Sequence, residues 1–236
     1  MGSDNEATDG LPIPPPEFQT HVSGNPNANI SEYFITGRRC ASAIRDVLTT
    51  NGIEIDSFQN ILDFGCGCAR TVRHFKSFRG KLYGTDISAD LINWCKSNIP
   101  FTEFGVNKAN PPLAYNDEHF DLVYAFSVFT HLSEQGQLLW INELSRIVRP
   151  GGHVIITTHG EDHARVLNEE ELEGFRSKKM YVRAEDHAGI PATYGRCAAF
   201  HLPEYVKEKL ANENGFDVVD FIPGNPHQDL YLFKKR

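Results

Sequence analysis

The chain has 236 residues, of which 40% are hydrophobic and 23% are charged. This composition is typical of a globular protein with a buried core, and no run of about 18 apolar residues predicts a transmembrane helix. The 23 Lys and Arg residues against 31 Asp and Glu residues give a formal charge of −8. This balance disfavours nucleic acid as a partner, because phosphate backbones attract clustered basic residues.

The first ten residues and the cysteines indicate the compartment. No basic start and no apolar segment precede residue 10, so we expect no secretory signal. The five cysteines, an odd number, predict free thiols in a reducing compartment, the cytoplasm. Cys66 and Cys68 have no second pair, and Gly160 interrupts the helix that His159 and His163 would need to share a metal. We therefore predict no metal and no membrane partner, and a monomer or homodimer.

Residues 1–28 are predicted to form a partly flexible N-terminal arm that lies across the main body. Its three consecutive prolines, Pro14 to Pro16, favour an extended backbone. One domain is expected over residues 29–236. It begins with a helix from Ile30 to Leu48, where apolar residues recur on one face.

Short apolar runs then alternate with helical patterns. The alternation predicts a mostly parallel sheet with helices on both faces. The predicted strands are Asn60–Phe64, Lys81–Asp86, Phe101–Val106, Phe120–Phe126 and His153–Thr158. The predicted helices are Ala69–Phe78, Ala89–Asn98 capped by Ser88, and one capped by Ser133.

The pattern lapses for about forty residues after residue 160 and then resumes. A helix over residues 203–213 is followed by two strands, Phe216–Phe221 and Leu230–Lys234, which are expected to pair as an antiparallel hairpin. Long loops inside compact domains tend to be functional, so residues 160–200 are predicted to form a lid or acceptor-binding insert. Polar and aromatic residues in the insert are Tyr181, His187, Tyr194, Arg196, Cys197 and His201.

A glycine-rich loop, Gly65-Cys66-Gly67-Cys68, follows the first strand and is flanked by two carboxylates. Small residues there let a ligand approach the backbone closely. Asp63, two residues before Gly65, would repel a pyrophosphate and suits a cationic group instead. Asp86 ends the second strand, where a carboxylate accepts hydrogen bonds from both hydroxyls of a ribose. The pattern predicts a nucleoside ligand with a cation and no phosphate.

Four segments in this order resemble the successive motifs of class I S-adenosylmethionine-dependent methyltransferases. They are Asp63-Phe64-Gly65-Cys66-Gly67, Gly84-Thr85-Asp86-Ile87-Ser88, Phe120-Asp121-Leu122-Val123 and the run from Leu144 to Gly152. The resemblance covers residues 33–158 closely. One departure is Ala69, which stands at the third small position of the loop, where the family has Gly; we expect it to permit a helix start.

The resemblance implies an α/β, Rossmann-like three-layer sandwich. Its seven-stranded, mostly parallel sheet would have the order 3-2-1-4-5-7-6 with strand 7 antiparallel. It also implies S-adenosylmethionine as cofactor and S-adenosylhomocysteine as product. Asp63 would hold the methionine amino group, Asp86 the ribose hydroxyls, and Asn107 the adenine edge. The predicted cofactor-binding residues are Tyr33, Asp63, Phe64, Gly65, Cys66, Gly67, Asp86, Ile87, Asn107, Phe126 and Ser127.

Two histidines are candidates for catalysis at the acceptor. His131 follows the fourth strand and His159 ends the fifth, and ligands bind at this edge of open parallel sheets. Either imidazole is able to accept a proton near neutral pH, which a hydroxyl acceptor requires. We therefore predict methyl transfer to a small molecule at a hydroxyl or carboxyl oxygen. Core packing or a loop position is the ordinary alternative for each histidine.

Three alternatives remain open from the sequence. The acceptor atom is nitrogen in one of them. In another the chain binds S-adenosylmethionine without catalysis, since one fold serves many functions. A nicotinamide oxidoreductase is disfavoured, because Arg70 stands where a dinucleotide fingerprint has Gly.

Overall fold

The computed structural model describes residues 9–25, 27, 29–184, 197–225 and 227–236. Within these ranges, the strands are β1 Asn60–Phe64, β2 Lys81–Asp86, β3 Thr102–Val106, β4 Phe120–Ala125, β5 Val148–Thr158, β6 Met180–Ala184, β7 Cys197–His201, β8 Phe216–Ile222 and β9 Asp229–Lys235. The helices are α1 Pro16–Ser23, α2 Ile30–Thr50, α3 Ala89–Asn98, α4 Glu134–Ile147, α5 Glu169–Lys178 and α6, which starts as Pro203–Tyr205 and continues as a π-helix, Val206–Ala211. His187, Tyr194 and Arg196 of the predicted insert lie outside the described residues.

The main sheet has seven strands in the order β3-β2-β1-β4-β5-β9-β8. Strands β1 to β5 pair in parallel, while β9 runs antiparallel to both β5 and β8. With β6 and β7 left out of the count, this is the predicted order 3-2-1-4-5-7-6 with a reversed seventh strand. The α/β fold class is confirmed, and the carboxyl ends of β1, β2, β4 and β5 meet at one edge.

Helices cover both faces of this sheet, as the alternation predicted. On one face, α4 and α6 pack against β1, β4 and β9 through a cluster that includes Phe64, Trp140 and Phe233. On the other face, α2 and α3 pack through a cluster that includes Ile44, Ile61 and Tyr124. Each helix therefore buries its apolar stripe against the sheet, which holds the strand ends in fixed positions. None of the described helices is long and apolar enough to cross a membrane.

Two local predictions are corrected. The helix predicted over residues 69–78 is a turn followed by a short 3-10 helix, Val72–Phe75. Ala69 does not start a helix, because it lies in the left-handed region at φ 63°, where Gly is favoured. Residues 160–200 are not unpatterned: they contain α5 and a small antiparallel sheet of β6 and β7. By contrast, Ser88 and Ser133 cap α3 and α4 as predicted.

Candidate cofactor and acceptor site

The glycine loop after β1 needs its two glycines for conformation and for space. Gly65 and Gly67 have φ values of 78° and 54°, in the left-handed region. A Cβ at Gly65 would lie 2.4 Å from Cγ2 of Val128, and one at Gly67 would lie 2.6 Å from Cγ1 of Val22. The loop is therefore enclosed between the segment that leaves β4 and helix α1. Any larger residue would push one of these walls away.

Asp63 is a buried carboxyl group at the end of β1 with one oxygen atom left unpartnered in the described part of the chain. The residue is only 4% exposed, and its Oδ2 atom has no hydrogen-bond partner among the described residues. Burial, reinforced by the nearby charge of Asp86, raises the pKa of Asp63 to about 7. A buried carboxylate in this state is stabilised by a cationic partner, since an unpaired charge of low solvation is costly.

Asp86 at the end of β2 has one backbone amide on each carboxylate oxygen. Gly67 donates its N–H to Oδ2 at 2.9 Å, and Ser88 donates to Oδ1 at 2.8 Å. Burial raises the pKa of Asp86, and these amides counteract part of that effect. Each oxygen retains a further lone pair, so the fixed carboxylate is able to accept two more hydrogen bonds.

Ile87 and Asn107 lie next to Asp86. Ile87 is half-buried at the start of the α3 segment. The Asn107 side chain accepts a hydrogen bond from the Thr85 hydroxyl at 2.9 Å and donates one to the Lys108 carbonyl at 2.8 Å. Its backbone N–H donates to the Asp86 carbonyl. The amide is thus oriented locally and keeps one N–H for another partner.

Tyr33 lies under the glycine loop. It is 3% exposed, donates its hydroxyl to the Cys68 carbonyl at 2.9 Å and accepts from Arg73 at 3.0 Å. The cation that faces the rings of Tyr33 and Phe34 is Arg73, whose guanidinium carbon lies 5.4 and 4.8 Å from the two ring centres. Arg73 also forms an ion pair with Asp9. The predicted contact of Tyr33 with the cofactor stays a prediction.

Three other residues predicted to bind the cofactor differ in how deeply they are buried. Phe64 is buried against Trp140, with ring centres 4.7 Å apart. Cys66 is buried, and burial raises the pKa of its thiol, which makes it a packing residue and not a nucleophile. Phe126 is half-buried, directly after β4.

Ser127 is held in a left-handed conformation by its neighbours across β5. Its φ is 57°. The hydroxyl of Thr157 accepts from its N–H at 2.8 Å, and its own hydroxyl donates to Oε1 of Gln228 at 3.2 Å. Sequence reasoning missed Gln228, which lies in the loop between β8 and β9 and carries no motif.

The two predicted histidines come together at the same edge. The ring centres of His131 and His159 are 6.3 Å apart, and His163 stacks on His159 at 4.5 Å. Burial, with the charges of His163 and His131, lowers the pKa of His159 to about 3. His131 is exposed, and its Nδ1 lies 3.3 Å from the Cys197 carbonyl. Among the described residues, no group of three or more His, Cys, Asp or Glu side chains is arranged to hold a metal ion.

Comparison with known proteins identifies the domain. Residues 62–156 match the family model described as a methyltransferase domain. Phosphoethanolamine N-methyltransferase of Plasmodium falciparum is 20% identical over 190 residues, which are 78% of this chain and 70% of that protein. Fatty-acid O-methyltransferase of Mycolicibacterium smegmatis is 31% identical over 103 residues, or 42% of this chain and 36% of that protein.

The fold agrees with solved structures. Magnesium protoporphyrin IX methyltransferase from Synechocystis, crystallised with S-adenosylhomocysteine, superimposes with a TM-score of 0.59 at 14% identity, covering 93% of this chain and 94% of that one. Residues 62–156 form a methyltransferase domain, and the fold is one that S-adenosylmethionine-dependent methyltransferases share. S-adenosylmethionine is its cofactor. These comparisons confirm the predicted family, enzyme class and cofactor.

The residues of this methyltransferase fit that cofactor. The buried Oδ2 atom of Asp63, which has no partner among the described residues, matches a ligand ammonium group. Because Gly65 and Gly67 carry no side chains, the loop fits closely between Val128 and Val22. The remaining lone pairs of Asp86 match a ribose diol. An ammonium group and a ribose diol carry no phosphate, so these matches require no basic side chain.

Proposed function

We propose that this methyltransferase acts on an oxygen atom, hydroxyl or carboxyl, of a small-molecule acceptor. The observation that carries the proposal is the pair of imidazoles, His131 and His159, 6.3 Å apart at the carboxyl edge of β4 and β5. An oxygen acceptor with a proton needs a base, and imidazole is the side chain best suited to that task near neutral pH.

The cofactor assignments support this placement of the acceptor. We assign Asp63 to the amino group, Asp86 to the ribose hydroxyls, and Ile87 with Asn107 to the adenine. Phe126 and Ser127 then lie where β4 ends, between the glycine loop and the histidines. When bound, S-adenosylmethionine supplies a methyl group activated by positive sulfur. The chain's own residues position the cofactor and the acceptor and exclude water. These contributions suit the reaction, because methyl transfer neutralises charge.

The two histidines are suited to different tasks. With a pKa near 3, His159 stays neutral at physiological pH and is a weak proton acceptor. His131 is exposed toward the opening and has a neighbouring carbonyl at Cys197 that fixes its ring. We therefore assign proton removal to His131 and a hydrogen-bonding role to His159.

The insert is the proposed wall of the acceptor pocket. Its strand β7 forms a bridge to His159 through Phe200, with ring centres 5.6 Å apart, and the Cys197 carbonyl faces His131. These contacts place one side of residues 160–200 against both imidazoles. We extend this proposal to the rest of the insert, which we expect to act as a lid.

The test is methyl transfer to a panel of hydroxyl, carboxyl and amine acceptors, followed by mass spectrometry. With a hydroxyl acceptor, we expect His131→Ala to lower kcat about 100-fold or more, as loss of a general base does. His159→Ala should have a smaller effect. His119→Gln, at the opposite edge of the sheet, is the matched control and should leave kcat unchanged.

Nitrogen is the second candidate acceptor, since the relative that covers 78% of this chain is an N-methyltransferase by name. A neutral amine attacks without a base. Product from amines alone, with full rates in both histidine variants, would overturn the oxygen proposal and leave the cofactor assignments intact.

A further inference from the structure

Gln228 joins three groups of the site through one side-chain amide. Its Oε1 accepts hydrogen bonds from the hydroxyls of Thr157 at 2.6 Å and Ser127 at 3.2 Å. Its Nε2 lies 3.5 Å from Nε2 of His159. The residue comes from the loop before β9, so it ties the ends of β4 and β5 to a third part of the chain.

The donors and acceptors of this network fix the orientation of the amide. The Thr157 hydroxyl already accepts from the Ser127 N–H, so it has its proton to donate. Its 2.6 Å contact has the length of an O–H···O bond and is shorter than typical N–H···O bonds. Oε1 therefore faces the two hydroxyls, and the NH₂ group faces His159.

We propose that Gln228 is a positioning residue that holds Ser127 and Thr157 through Oε1 and donates through its NH₂ group to Nε2 of His159. The imidazole then carries its proton on Nδ1, which is buried without a hydrogen-bond partner among the described residues, and its Nε2 accepts from Gln228. This inference rests on the role proposed for His159 at the acceptor site, and it adds a residue that no sequence motif marks.

The charged and titratable groups around His159 come from four elements. His131 follows β4, His163 begins a 3-10 helix after β5, and His201 lies on β7, while Asp229, which begins β9, interacts with His163. The charges of His163 and His131 lower the pKa of His159, whereas Gln228 contributes no charge. A change in the protonation of His159 that follows a substitution of Gln228 can thus be distinguished from the effect of the neighbouring histidines.

The experiment replaces the NH₂ donor by an acceptor of the same shape in the full chain. Gln228→Glu keeps an oxygen toward Ser127 and Thr157 but offers a carboxylate to His159. In ¹⁵N-histidine NMR spectra, with His159→Gln used for assignment, we expect the proton to move from Nδ1 to Nε2. The proton affinity of His159 should rise about tenfold or more.

Asn225→Asp is the matched control, because it adds the same charge to the same loop outside the network. It should leave the proton on Nδ1. If Gln228→Glu does not fold, Gln228→Met removes both hydrogen-bonding groups and should leave a mixture of the two tautomers.

Wild-type protein with the proton on Nε2, or equal changes in both charge variants, would overturn the positioning role. This readout needs no acceptor, so its outcome is independent of the oxygen proposal.

Discussion

Burial and the charge of Asp86 raise the pKa of Asp63 to about 7, so we predict that cofactor affinity depends on pH. Below that pKa the side chain is protonated and neutral, and it attracts the cofactor's ammonium group weakly. We expect calorimetry to show the affinity for S-adenosylhomocysteine rising roughly tenfold per pH unit from about pH 5 to about pH 7, then levelling off. Asp63→Asn should bind weakly with little pH dependence. The same slope in that variant would assign the effect to another group.

Asp86 is the residue whose loss should weaken cofactor binding most. Asp86→Ala would remove the two charge-assisted hydrogen bonds that we propose for the ribose, and it also frees the amides of Gly67 and Ser88. We expect the Kd for S-adenosylmethionine to rise at least about 100-fold, since two such bonds together contribute about 3–6 kcal/mol. Asp90→Ala, exposed on α3, is the control measured by the same calorimetry. An unchanged Kd in Asp86→Ala would remove the ribose assignment.

At the scale of single residues, the sequence predicted the site residues that lie in motifs. It missed the residues whose partners come together only in the folded chain. Asp63, Gly67 and Asp86 stand beside strand ends, so their positions follow from the alternation of elements. Arg73 and Gln228 have no such marker. Their partners come from distant segments, Asp9 for one and Thr157 for the other, and no local pattern records those contacts.

Among the elements, the N-terminal segment 9–23 does more than lie across the body. Arg73, with a fully buried side chain, donates to Asp9 and to the carbonyls of Leu11 and Pro12. Val22 of α1 packs on Gly67. The segment therefore anchors one side of the glycine loop, and the buried ion pair of Arg73 with Asp9 is one of its attachments.

Breaking that ion pair should release the segment. Burial acts to raise the pKa of Asp9, but the hydrogen bonds from Arg73 and the Leu11 amide and the charges of Arg73 and His74 together outweigh it, so the pKa lies below its ordinary value. Asp9→Asn leaves the buried Arg73 without a counter-charge, and we expect a loss of about 3 kcal/mol in the free energy of unfolding. Urea denaturation measures this loss, and faster proteolysis within residues 9–23 should accompany it. Glu17→Gln, exposed on α1, should change neither, and equal stability of both variants would contradict the anchoring role.

Elements with regular hydrophobic patterns were predicted well, and the failures have physical causes. Helix α2 and the strands of the main sheet bury one or two faces, which the pattern records. The segment 69–78 has helical spacing, but left-handed Ala69 and the packing of Arg73 confine it to a turn and a 3-10 helix. Strands β6 and β7 pair across residues 185–196, and short strands of this kind carry little pattern of their own.

At the scale of the whole molecule, the fold places negative charge around the glycine loop, and this charge selects the ligand. The glycine loop has carboxylates at the ends of β1 and β2. Within the described part of the chain, Asp86 accepts from the backbone amides of Gly67 and Ser88, and Oδ2 of Asp63 has no hydrogen-bond partner. A nucleoside with a cationic side chain is therefore favoured over a dinucleotide, whose pyrophosphate Asp63 would repel. The selection depends on the topology, because β1 and β2 are parallel neighbours and their carboxyl ends therefore lie beside the same loop.

Thermal unfolding tests this selection on the intact chain. S-adenosylhomocysteine at about 100 times its Kd should add about 2.7 kcal/mol to the free energy of unfolding, which raises Tm by about 5–10 °C for a chain of this length. NAD at the same concentration should leave Tm unchanged, because the charge of Asp63 opposes its phosphates. In Asp86→Ala the shift with S-adenosylhomocysteine should largely disappear. A larger shift with NAD than with S-adenosylhomocysteine would mean that the carboxylates do not select the ligand.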